Sequence, residues 1–196
     1  DYRLYALLAP HLGNRGAGNV GWVGDYKSTP MLFGARSGAA GAMALACSAP
    51  WLARSAGFVG VSDGWQDLTR HKRMRWRYRR AEDGNVALMG EIDLQACGGE
   101  FVLALGFGLR PAAAAFGALM SLQEPFEEIE ARYVAGWQAW QQDLLPLDPP
   151  EAYFGHNTYR TSTVVLRSHE AKNFPGGITA SLSIPWGFAK GDYDLG

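Results

Sequence analysis

SAGFVGVSDGWQDL, residues 55–68, joins an apolar run to a capped turn, and its reading decides what the flanking chain can build. Ala56 to Val61 is short, apolar and bracketed by glycines, the pattern of a buried strand. Asp63 is placed to cap a brief helical turn, because its carboxylate can accept a free N–H two or three residues on. Gln66 stands where a capping-box partner would, and Trp65 and Leu68 supply an apolar side. A strand running into such a joint is expected to fix two layers of a fold.

The same residues hold a catalytic lookalike. Gly60-Val61-Ser62-Asp63-Gly64 fits G-x-S-x-G, the turn that lifts a nucleophilic serine above an α/β-hydrolase sheet. A true elbow should feed a full helix and parallel βαβ units, whereas residues 69–108 read as strands and turns. His156 and His169 lie downstream, as a triad would require, but His169 belongs to a helical pattern. A structural cap is therefore the favoured reading of this turn, with an esterase using Ser62 as the competing one.

Outward from this joint, glycine-punctuated short runs dominate. Tyr2 to Ala9 reads as a strand that stops at Pro10, which has no N–H to give to a ladder. Gly13 to Gly18 is a glycine-rich loop; a phosphate cradle would need a helix N-terminus after it, and Val20 to Val23 reads as a strand instead. Met31 to Ala35 and Ala42 to Ser48 flank Arg36-Ser37-Gly38 and predict a hairpin. Phe101 to Phe107 is a further strand, so the β region is expected to end near residue 110.

RHKRMRWRYRR, residues 70–80, interleaves cations with aromatics as nucleic-acid binders do. Its period is two, however: Met74, Trp76 and Tyr78 share one face and Arg73, Arg75, Arg77 and Arg79 the other. That predicts a strand with a solvated cationic face, and an anionic-ligand site is the second reading. Asp83-Gly84 signals a turn that would pair this strand with Val86 to Leu94. With 18 basic and 19 acidic residues, the net charge of -1 gives no global pull toward nucleic acid or an anionic membrane.

No apolar run reaches the ~18 residues of a spanning helix. Hydrophobic residues make up 47% and charged ones 19%, enough for a sizeable core. Cys47 and Cys97 are too few for a disulfide framework or a four-cysteine zinc site. Buried free thiols are favoured over a bridge, and the compartment stays open. No metal ligand set and no cofactor motif is read. The chain begins at Asp1 without Met or a signal peptide, so a preceding segment is expected.

Past Pro111 the period changes. Ser121 and Glu124 form a capping box, and Phe126, Ile129, Tyr133, Trp137, Trp140 and Leu144 recur at threes and fours, predicting an amphipathic helix of five or six turns. Its tryptophans read as core or interdomain packing rather than a sugar platform. Pro146 and Pro149-Pro150 end it, with Leu145 to Glu151 a linker. A second helix, capped by Asn157, is expected from about Thr158 to Lys172, followed by a strand over Ile178 to Ile184.

PHLGN at 10–14, SAPWLARSAGFVGVSDGWQDL at 48–68, LPLDPP at 145–150 and FPGGITASLSIPWGFAKGD at 174–192 resemble bacterial glucoamylases and glucodextranases, the inverting α-glucoside hydrolases. The resemblance spans nearly the whole chain. It implies a mainly β fold followed by α: an antiparallel, supersandwich-like β-sandwich, a helical linker and an (α/α)6-barrel catalytic domain. Residues 1–110 are expected to form part of the sandwich, 111–150 the linker, and 151–196 the first helix and strand of the barrel. The chain would thus be an internal slice, with further strands before Asp1.

The resemblance also implies glucose release from the non-reducing ends of α-glucans or maltooligosaccharides. One glutamic acid protonates the leaving oxygen and a second glutamate activates water, with roughly 6.5–9.5 Å between them. Both map beyond residue 196, so no catalytic residue is assigned. Trp186 is the one residue the resemblance brings near the sugar. The partners implied are that α-glucan substrate and an intramolecular catalytic domain, with no nucleic acid and no membrane. A stand-alone carbohydrate-binding sandwich, with Trp22, Trp51 or Trp65 stacking on sugar rings, is the alternative.

Overall fold

Two antiparallel sheets and a covering helix are built around strands whose neighbours bury both of their faces. A computed structural model describes residues 2–147, 157–171 and 174–179. The described elements are β1 (Leu4–Leu8), β2 (Asn19–Tyr26), β3 (Thr29–Arg36), β4 (Ala42–Cys47), β5 (Trp51–Phe58), α1 (Gly64–His71), β6 (Arg80–Gly84), β7 (Val86–Ile92), β8 (Leu103–Gly108), α2 (Pro111–Gln123), α3 (Phe126–Gln142) and α4 (Thr158–Ser168). One sheet has the order β1-β7-β5 and the other β6-β2-β3-β4-β8. Every pairing is antiparallel, as the glycine-punctuated runs predict.

The expected hairpin forms between β3 and β4, in a register that sets Leu32 opposite Leu45 and Phe33 opposite Ala44. Because side chains alternate, Leu32, Met43 and Leu45 meet Ala56 and Leu88 of the smaller sheet. Met31, Phe33, Ala44 and Ala46 point the other way, onto Ala114, Ala115 and Ala118 of α2. Each large side chain taken fully out of water here contributes about 1.5–3 kcal/mol. The result is a sandwich with a helix as its third layer.

Helix α2 falls in the stretch expected as a helical linker although no periodicity marks it, and the Ser121–Glu124 capping box is not made. Ser121 lies in the last turn of α2, and α3 starts at Phe126 behind Pro125 without a side-chain cap. The reason is compositional: PAAAAFGALMSLQ has the best helix former in quantity but almost no apolar period. Its small residues let the helix backbone come down on β8, where a Cβ at Gly106 would lie 2.1 Å from Ala114 O.

The basic run also departs from expectation. Arg70 and His71 close α1, residues 72–79 form no regular strand, and only Arg80–Gly84 enters a sheet. Met74 is buried, but Trp76 is half-buried and Tyr78 exposed, so the apolar face fades along the segment. Asp83-Gly84 does not close a hairpin either. β6 pairs with β2 in the larger sheet while β7 pairs with β1 and β5 in the smaller, and Asn85 alone separates them. Asp83, at φ 54°, turns the chain from one sheet into the other.

Asp63 caps α1 as expected, accepting from Gln66 N at 3.0 Å and from Gly60 N. Trp65 is not a plug: it is 62% exposed, and Leu68 alone of the expected pair packs inward, against Ala53, Met74 and Met89. Asn157 caps α4 by accepting from Arg160 N at 3.0 Å. The strand expected over Ile178 to Ile184 lies mostly outside the described residues; within them, Ile178 makes one antiparallel bridge with Glu170.

Candidate functional site

Ser62 is built as a turn residue. Its Oγ accepts from Phe58 N at 3.0 Å and its N–H donates to Phe58 O at 3.0 Å, closing the turn between β5 and α1. The strand before it belongs to an antiparallel sheet and the helix after it has 8 residues, so the elbow context is missing. No imidazole is bonded to Ser62 among the described residues.

Two of the three candidate sugar-stacking tryptophans have their rings engaged. Trp22 stacks on Phe33 at 5.1 Å with 3° between the planes, and the Arg80 guanidinium lies 5.2 Å from its centroid. Since β2 runs between β3 and β6, these two neighbours flank the indole from opposite sides. Trp51 donates Nε1–H to Pro30 O at 3.1 Å and lies so close over Gly90 that a Cβ there would meet the ring at 2.3 Å. Trp65 is exposed on α1, and Trp186 lies outside the described residues.

The two cysteines sit in one apolar cluster with Ala49, Ile92 and Phe101, and both are free thiols. Burial pushes the Cys47 thiol up, partly offset by a hydrogen bond with the Ala49 backbone, with Cys97 adding to the rise. Cys97 is half-buried in the loop after β7. Since the thiolate is the nucleophile, iodoacetamide is expected to modify Cys97 well before Cys47. Peptide mass mapping of a labelling time course checks the order; equal rates at both thiols would contradict the buried setting of Cys47.

Two concave surfaces lie where α3 meets α4. Tyr133, Trp137 and Trp140 form an edge-to-face ladder, at 6.2 Å and 67° then 5.6 Å and 87°. Arg167 of α4 lies 5.8 Å from the Trp140 centroid, and Tyr159 donates to Leu145 O at 2.9 Å. One hollow of about 730 Å³ is lined by Arg132, Trp137, Trp140 and Glu170; a second of about 940 Å³ adds Val134 and Val164. Glu170 is held below the usual carboxylate range by the Gly176 N–H and then by Arg167. Arg132 does the same to Glu124.

No residue of α3 or α4 is fully buried, although Phe126, Tyr133, Val165 and Leu166 are each at least half exposed. On β8, Leu103, Leu105 and Phe107 also stand exposed, opposite the face that α2 covers, and Leu109 follows them. Among the described residues, no three metal-ligating side chains gather and no helix is long and apolar enough to cross a membrane.

The described residues thus form an antiparallel sandwich with a covering helix, leading into helices whose apolar faces are uncovered. The chain belongs to the family described as glucodextranase, domain N, which it matches over residues 1–142. It is 31% identical, over all 196 residues, to a glucoamylase of Clostridium sp. (strain G0005). It also superposes on the crystal structure of a bacterial glucoamylase complexed with acarbose, with a TM-score of 0.81 and 32% identity over 95% of the chain. The chain spans about a quarter of the length of these relatives, 27% of the first and 26% of the second.

Proposed function

We propose that this chain is the sandwich, linker and barrel opening of a glucoamylase-like hydrolase, in which it supports and positions the catalytic barrel. On this reading residues 1–110 belong to the sandwich, 111–150 to a helical linker whose first part, α2, docks on the sheet, and 151–196 to the start of the (α/α)6-barrel. The enzyme would release glucose from the non-reducing ends of α-glucans with inversion. Its catalytic acid and base would lie outside these residues, with Trp186 near the sugar.

The observation that carries this reading is the uncovered apolar surface of α3 and α4 in a chain that otherwise buries its core. A helix with an apolar stripe and no buried residue is not stable by its own packing, so something must lie against it. A catalytic barrel on the same polypeptide is the partner that the kinship with glucoamylases supports. The exposed leucines of β8 support, in the same way, further strands completing the sandwich.

The experiment compares the intact gene product with residues 1–196 on maltooligosaccharides. Glucose in the inverted anomeric form is expected from the first and none from the second. Activity in residues 1–196 alone, or none in the intact product, overturns the proposal, and saturable starch binding by the segment would favour a carbohydrate-binding module.

A further inference from the structure

Neither Arg77 nor Arg79 is paired with a carboxylate among the described residues. Asp67 spends Oδ2 on the backbone N–H groups of Arg75 and Trp76, at 2.7 and 2.8 Å, while Glu82 pairs with Arg80. Arg79 has neither a side-chain hydrogen bond nor an ion pair among the described residues. The segment is nevertheless held firmly between the two sheets. Tyr78 O accepts from Ala56 N at 2.9 Å, Ser55 Oγ accepts from Tyr78 N at 3.1 Å, and Arg79 O accepts from Val23 N at 3.0 Å.

This anchoring opens a groove of about 530 Å³, lined by Val23, Asp25, Trp51, Arg54, Arg77 and Arg79 among others. Arg77 and Arg79, two residues apart, both line it. Two of the three guanidiniums are oriented in advance by main-chain carbonyls. Arg54 donates to Gly24 O at 2.6 Å, Met31 O at 3.0 Å and Asp25 Oδ1 at 3.1 Å; Arg77 donates to Met74 O and Trp76 O, each at 3.0 Å. A guanidinium has five N–H donors, so both retain some.

We propose that this groove binds a phosphate group. Three arginines and one carboxylate, Asp25, line the groove, a local excess of two positive charges that matches a phosphate dianion. Forked donors arriving from β5 and from two positions of the crossing segment suit a tetrahedral oxyanion better than a planar carboxylate. The phosphate is carried either by the inorganic ion or by a phosphorylated sugar, whose ring would lie toward Trp51. This site is independent of the support role proposed above and far in sequence from the α3–α4 surface.

Titration calorimetry of the whole chain with inorganic phosphate, glucose 1-phosphate and glucose, in buffers matched in ionic strength with chloride, tests it. Phosphate is expected to bind and glucose not to. Losing one charge-assisted contact through Arg79→Gln or Arg77→Gln should weaken binding about tenfold. Asp25→Asn should tighten it, a gain that no folding defect can imitate. Tighter binding of glucose 1-phosphate than of phosphate identifies the sugar ester as the source, and equal binding identifies the phosphate group alone. Heats no larger than those of chloride, or unchanged affinity in Arg79→Gln, Arg77→Gln and Asp25→Asn, overturn the assignment.

Discussion

Replacing Asp67 by alanine is expected to destabilise the protein by about 3 kcal/mol, because two charge-assisted hydrogen bonds are lost together. The carboxylate is fully buried, and its Oδ2 alone receives the N–H groups of Arg75 and Trp76. Alanine leaves both N–H groups without this acceptor, in a segment that has no ladder of its own. For a chain of this size the melting temperature should fall by about 6–12 °C. Asp67→Asn keeps an acceptor oxygen for both N–H groups, so it should recover much of the loss. Equal melting of Asp67→Ala and the unchanged protein would show that the segment is held by something else.

Gly106→Ala is the second large effect. The added methyl would sit 2.1 Å from Ala114 O and 2.7 Å from Ala118 N, both backbone atoms of α2, so no side chain can swing aside to make room. The helix must retreat from the sheet and loosen its cover over Met31 and Phe33, at a cost of about 3 kcal/mol or more. Gly117, on the same helix, has nothing within 4 Å of its own added Cβ. Gly117→Ala should therefore raise stability by about 0.5–1 kcal/mol through helix propensity. Denaturant melts of the pair separate a packing fault from a general sensitivity of α2, and stability unchanged in Gly106→Ala would refute the close approach.

Much of this architecture is legible in the sequence, and the misses share a cause. β2, β3 and β4 are joined by short turns, and the Asp63 and Asn157 caps act within a few residues of themselves, so local chemistry decides them. Residues 72–79 alternate as a strand does, yet their N–H groups go to Asp67 and Ser55 side chains rather than to a neighbouring strand. Alternation reports which way side chains point, not what satisfies the backbone. The Asp83-Gly84 turn misled for a related reason, since a turn signal does not say whether the chain returns to the same sheet.

The candidate site was less legible than the fold. Long shared motifs identify the family, but Ser62 and the tryptophans were singled out by type, and only their neighbours show how each is used. Trp22 is enclosed by residues that its strand partners supply, Phe33 and Arg80, which lie 11 and 58 positions away in the chain. The groove beneath Arg77 and Arg79 likewise depends on Arg54 from another element.

The chain passes from one sheet to the other between β1 and β2, β4 and β5, β5 and β6, β6 and β7, and β7 and β8. Neither sheet can therefore assemble as an autonomous kinetic unit, because each borrows strands whose sequence neighbours are being placed in its counterpart. Such an interleaved thread commits loop-closure entropy before most of its contacts are rewarded, which favours slow, all-or-none folding of the sandwich over stepwise growth from a single hairpin.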